Sequence, residues 1–131
     1  MILADSSVWI DHFRDADTPE SAALARLLAH RSVATADLVV AEVLQGIDKN
    51  SEFERVCRLF GELDLIVISD GAIAIEAARN FRRLRSLGIT IRKTVDTLIA
   101  TRCIQDGHQL LYSDRDFDPF VEHLGLESTM P

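Results

Sequence analysis

MILADSSVWIDHF, residues 1–13, carries the reading that decides the fold. Ile2, Leu3 and Ala4 form an apolar run too short for a helix and suited to a buried strand. Asp5 ends the run, and from Ser6 the period changes. Val8, Trp9, His12 and Phe13 recur on one side of a helix over Ser6–Phe13. A buried strand that hands over to a helix, with an acid at the junction, opens a crossover unit. The same arrangement returns in LLYSDRDFD, residues 110–118, where a strand over Gln109–Tyr112 is followed by Asp114.

Between these two ends, helices and short strands alternate. DADTPE (15–20) breaks the first helix, and Thr18 before Pro19 starts a second, lined by Leu24, Leu27 and Leu28. A short strand is expected at Ser32–Thr35. A helix over 36–47 follows, with Val39, Val40, Val43, Leu44 and Ile47 at helical spacing, and then another over 51–62. Leu65–Ile68 reads as a third strand and Ala72–Leu87 as a long helix stopped by Gly88. Thr94 is the expected N-cap of a helix over Thr94–Gln105 that Gly107 ends. A short helix around Asp118–His123 and a strand near Leu124–Glu127 complete the chain. Connections of this length imply an α/β fold with a mainly parallel central sheet of four to five strands, covered on both faces. No linker or internal repeat interrupts it, so residues 1–131 read as one domain.

Composition narrows the function classes. Twenty-one acids against 14 Lys and Arg give a net charge of -7, which opposes a broad electrostatic grip on nucleic acid. Local basic clusters remain at Asn80–Ser86 and Ile91–Thr94. Cys57 and Cys103 sit among apolar neighbours and read as core residues. No signal peptide and no membrane span is evident, so the expected location is cytoplasmic. The four histidines lack zinc-ligand spacing. Asp114, Asp116 and Asp118 alternate as in a calcium loop, but Pro119 stands where that loop needs Gly.

Four acids stand out: Asp5, Glu42 in LVVAEVLQG (38–46), Asp96 in TVDTLIA (94–100), and Asp114. Each has an ordinary explanation alone, as a helix cap, a solvated helix residue, a first-turn acid or a turn residue. Two of them, however, end strands at the sheet edge where α/β proteins bind ligands. Carboxylates about 4 Å apart repel by roughly 4 kcal/mol per pair at an effective dielectric near 20. A group of three or four must take up protons or bind a cation. Oxygen-only ligands point to Mg²⁺ or Mn²⁺.

In this order and at these intervals, ILADSSVWID, ATADLVVAEVLQGI, TVDTLIA and LLYSDRDFDPF resemble the PIN-domain ribonucleases, and among them the VapC-type toxins of VapBC toxin–antitoxin systems. The resemblance implies an α/β/α sandwich and Mg²⁺- or Mn²⁺-dependent endonucleolytic cleavage of RNA to a 5′-phosphate and a 3′-hydroxyl. It implies that Asp5, Asp96 and Asp114 hold metal directly or through water, and that Glu42 belongs to the metal site, holding a metal-bound water or orienting the attacking one. Asp116 is a lesser ligand, with Ser6 and, more weakly, Ser113 as hydroxyl support. Arg82, Arg83, Arg85, Arg92 and Lys93 are candidates for guiding the RNA backbone. A VapB-like antitoxin and a homodimer are the implied partners, with Val8, Trp9, Phe13, Phe53, Val56 and Phe60 as residues for the antitoxin groove or for the core. The alternatives are a PIN-fold nuclease of RNA processing or DNA repair and, more remotely, a receiver-like phosphoacceptor domain. For the last, no lysine follows a convincing strand.

Overall fold

The opening run forms strand β1 (Ile2–Ala4) and passes through Asp5 into α1 (Ser6–Phe13). The computed structural model describes residues 1–130; Pro131, the last position of the expected domain, lies outside the described residues. Then come α2 (Pro19–Ala29), β2 (Thr35–Ala36), α3 (Asp37–Gln45), α4 (Asn50–Gly61), β3 (Leu65–Ile66), α5 (Gly71–Ser86) and α6 (Thr94–Asp106). The chain continues through β4 (Gln109–Leu111), a 3₁₀ turn at Arg115–Phe117, α7 (Asp118–Leu124) and β5 (Glu127–Ser128).

Strand pairing is parallel throughout. β1 lies beside β4 with Ile2, Leu3 and Ala4 opposite Gln109, Leu110 and Leu111, and β4 lies beside β5. β2 and β3 form a separate pair, joined to β1 by a single bridge between Leu3 and Ala34. The Ala34 amide donates to the Ile2 carbonyl at 2.8 Å there. The spatial order is therefore β3-β2-β1-β4-β5, and the chain changes direction across the sheet between β1 and β4. That boundary is a topological switch point, where α/β proteins place ligands beyond the carboxyl strand ends.

The helices gather in two groups, α1 with α2 and α3, and α5 with α6, which gives the α/β/α arrangement. Leu3, Ala4, Leu110 and Leu111 are buried at the sheet, and Trp9, Phe117 and Phe120 are the largest buried side chains. Val8, Trp9, Val56 and Phe60 belong to this core, so they do not line a surface groove. Trp9 stacks on Phe13 with centroids 5.9 Å apart and meets Phe60 edge-on at 5.0 Å. Phe13 is half-buried, and Phe53 is exposed. Cys103 is buried, which pushes its thiol up to about 12. Cys57 is only half-buried. Among the described residues, no helix is long and apolar enough to cross a membrane.

Several element boundaries differ from the sequence expectation by a residue or more, and four of the differences have a visible cause. β2 begins at Thr35 rather than Ser32, because the chain is still leaving α2: Arg31 has φ 52°, and the Ser32 amide returns to the Leu27 carbonyl at 2.8 Å. β3 stops at Ile66 because the Ile68 amide donates to the Asp37 carboxylate at 2.9 Å instead of to a strand. β5 starts at Glu127 because Gly125, with φ 83°, closes α7. Lys93, not Thr94, is the N-cap of α6, and it makes no side-chain cap bond.

Candidate metal centre

Asp5 is fixed from both sides. Its amide donates to the Leu111 carbonyl at 2.9 Å, carrying the β1–β4 ladder one residue further. One carboxylate oxygen, Oδ2, caps α1, accepting from the Ser7 amide at 3.3 Å and the Ser7 hydroxyl at 2.8 Å. The other, Oδ1, is buried with no hydrogen-bond partner. The capping explanation and the ligand explanation thus apply to different oxygens of one side chain. Burial pushes the Asp5 carboxyl above its ordinary range, Ser7 pulls it back, and the charge of Asp114 pushes it up again.

Glu42 is half-buried on α3, and its Oε1 accepts from the Ser6 hydroxyl at 3.2 Å. Its pKa is raised, first by burial and then by Asp5, with Ser6 and Lys93 opposing. Asp96 sits in the first turn of α6, 4% exposed, with Oδ2 buried and unpartnered. Burial, then Asp5 and Asp114, push it up to about 7 against the pull of Lys93, and Glu42 adds to the rise. Asp114 follows β4 and opens the 3₁₀ turn, its Oδ1 accepting from the Asp116 amide at 2.9 Å.

The fold therefore gathers the four acids from β1, α3, α6 and β4 at the switch point, close enough that each carboxylate responds to the charge of others. Asp96, Asp114 and Asp116 form the tightest group, each offering an oxygen within 4.8 Å of those from the other two. Asp5 and Glu42 stand outside that trio and are coupled to it by charge. Asp116 is tied to Arg92, whose Nε donates to its Oδ2 at 3.1 Å. Of the expected supporting hydroxyls, Ser6 reaches Glu42, while the Ser113 hydroxyl is buried without a partner. Sequence reasoning missed Ser7, the hydroxyl on Asp5, and Thr97, whose buried hydroxyl is also unpartnered. Their adjacency to Asp5 and Asp96 was the only signal that pointed to them.

The basic candidates separate into two groups. Arg92 and Lys93 lie on the segment leading into α6, and their charges act on the acids. Arg82, Arg83 and Arg85 lie on α5, where with Arg79 they line an exposed depression, and Arg85 covers the Phe81 ring at 5.6 Å.

A buried carboxylate oxygen without a partner is costly, and two such oxygens beside further acids are costlier. A hard divalent cation at the Asp96–Asp114–Asp116 group, with Asp5 beside it, would offset this cost, and an all-oxygen donor set fits Mg²⁺ or Mn²⁺. Fold and site together define an α/β/α protein with a carboxylate cluster at its switch point that could hold a divalent cation. The PIN domain family model matches residues 2–121, a span that contains all four acids, and the chain belongs to that family. It is 28% identical over 130 residues to the VapC ribonuclease Mb1587 of Mycobacterium bovis, covering 98% of this chain and 97% of the relative. The fold matches that of VapBC2 from Rickettsia felis bound to a promoter DNA fragment, with a TM-score of 0.70, 20% identity, and coverage of 98% and 97%. It also matches a toxin–antitoxin complex from Klebsiella pneumoniae, with a TM-score of 0.69, 19% identity and the same coverage.

Proposed function

We propose that this protein is a divalent-metal-dependent endoribonuclease and the toxin of a VapBC-like toxin–antitoxin pair. The observation that carries the reading is the pair of buried, unpartnered carboxylate oxygens, Asp5 Oδ1 just beyond β1 and Asp96 Oδ2 in the first turn of α6. Family membership and the relatives above support the ribonuclease activity.

In this reading Asp5, Asp96 and Asp114 hold the ion, and Asp116 is a fourth, weaker ligand. A bound Mg²⁺ or Mn²⁺ supplies Lewis-acid stabilisation of phosphate charge and lowers the pKa of water nearby. Ser7 fixes Asp5 by its cap, so the free oxygen keeps one orientation. Ser6 holds Glu42, which orients the attacking water and accepts its proton; a raised carboxyl pKa suits that task. The water oxygen bonds to phosphorus as the bond to the 3′ oxygen breaks; that oxygen takes a proton from solvent, leaving a 5′-phosphate and a 3′-hydroxyl. Arg82, Arg85, Arg92 and Lys93 guide the RNA backbone.

An antitoxin partner has a surface to meet. Ile10, Phe13, Val43 and Ile47 line a groove of about 350 Å³ between α1 and α3, with Lys49 and Glu52 at its rim. Of the apolar residues that the sequence suggests for such a groove, only Phe13 lines it. A homodimer completes the expected assembly.

The test is cleavage of RNA by the purified chain with Mn²⁺ or Mg²⁺, beside Asp5→Asn and Asp96→Asn. Each substitution should cost more than the about 10–100-fold typical of losing a metal ligand's supporting partner, with the circular dichroism spectrum unchanged. Activity retained in both variants overturns the assignment. Co-expression with the neighbouring small reading frame should suppress cleavage.

A further inference from the structure

Arg92 stands where the acidic cluster meets solvent. Its Nε donates to Asp116 Oδ2 at 3.1 Å, while Asp116 shares the tightest carboxylate group with Asp96 and Asp114. Its backbone is held between buried Ile91 and the start of α6, but its side chain is 79% exposed and packs against little. Among the described residues, its two terminal nitrogens make no hydrogen bond, so charge and a single bond hold the guanidinium in place. Asp114 and Asp96 also act on its charge, in the same direction as Asp116.

We infer that Arg92 is a resident counter-cation of this site: it competes with the metal for Asp116 and, once displaced, serves the substrate's phosphate. This rests on the metal-dependent nuclease reading. A carboxylate that leans toward Asp96 and Asp114 needs a positive neighbour, and in the metal-free protein the guanidinium is that neighbour. A divalent ion at the trio would carry twice the charge and be held by the same carboxylate, Asp116. The freed guanidinium keeps its full set of N–H donors, whose planar fork matches phosphate. Lys93, although close enough to act on Glu42 and Asp96, makes no bond to Asp116 and does not share this role.

The inference predicts effects of opposite sign, which a merely structural role does not produce. Mn²⁺ binding to the metal-free full chain is measured by calorimetry for wild type, Arg92→Ala, Asp116→Asn and the double variant, and KM for RNA is measured at saturating Mn²⁺. Arg92→Ala should bind Mn²⁺ about two- to fivefold more tightly at low salt, the range an exposed ion pair permits. That gain should vanish in about 1 M salt. It should also be absent when Arg92→Ala is made in the Asp116→Asn background, while KM for RNA rises. Unchanged or weaker Mn²⁺ binding by Arg92→Ala overturns the inference while leaving the nuclease reading intact. So does an equal gain in the Asp116→Asn background, or an unchanged KM. Absence of Mn²⁺ binding in wild type overturns both.

Discussion

Asp96 links the site to stability. An ordinary aspartate has lost its proton by about pH 4, whereas burial beside Asp5 and Asp114 keeps Asp96 protonated up to about 7. Between these values the folded chain binds a proton that the unfolded chain does not, so stability falls as pH rises through the window. At about 1.4 kcal/mol per unit the cost reaches a few kcal/mol. In chelator, the melting temperature of Asp96→Asn minus that of wild type should therefore grow from pH 4 to pH 7, and Mn²⁺ should erase the difference. A difference independent of pH would place the Asp96 charge in solvent. Ser6 makes a second prediction at this scale. Ser6→Ala removes the hydroxyl on Glu42 Oε1 and should lower the cleavage rate about tenfold with metal affinity nearly unchanged.

At the scale of elements, α6 connects the two sides of the site: it carries Asp96 in its first turn and delivers the chain to β4. Gly107 ends it at φ 72°, with open space where a Cβ would stand. Gly107→Ala should therefore cost about 1 kcal/mol of backbone strain and no clash, seen as a lower urea midpoint with cleavage retained. β1, β4 and the acids Asp5 and Asp114 that follow them were legible because a short apolar run broken by an acid is a local signal, whereas Glu42 and Asp96 stood out only within their helices' apolar surroundings. β2 and β5 were misplaced because strands of two residues are defined by their partners and by how the preceding helix ends. Arg102 was invisible for a related reason. It reaches the Ile68 carbonyl at 2.9 Å and Asp70 at 3.0 Å, tying α6 to the loop before α5 across more than thirty positions. Ser7 and Thr97 escaped because no sequence pattern separates a hydroxyl that braces a carboxylate, as Ser7 does, or one that is buried, as in Thr97, from one that faces water.

Over the whole molecule, a net charge of -7 coexists with a basic strip on α5. RNA must approach an acidic protein, so local positive charge has to provide the attraction. Arg82→Glu with Arg85→Glu should weaken RNA binding most at low salt. It should also reduce the slope of log affinity against log salt by about 0.7 for each RNA phosphate that is no longer neutralised. A parallel offset with an unchanged slope would remove α5 from the RNA path.

The position of β4 between β1 and β5 has a consequence for synthesis. Asp5 is made more than a hundred residues before its neighbour Asp114, which follows β4. Between those two points the nascent chain carries an incomplete set of carboxylates. The carboxylate cluster is complete only once that later strand has been made and has paired with β1.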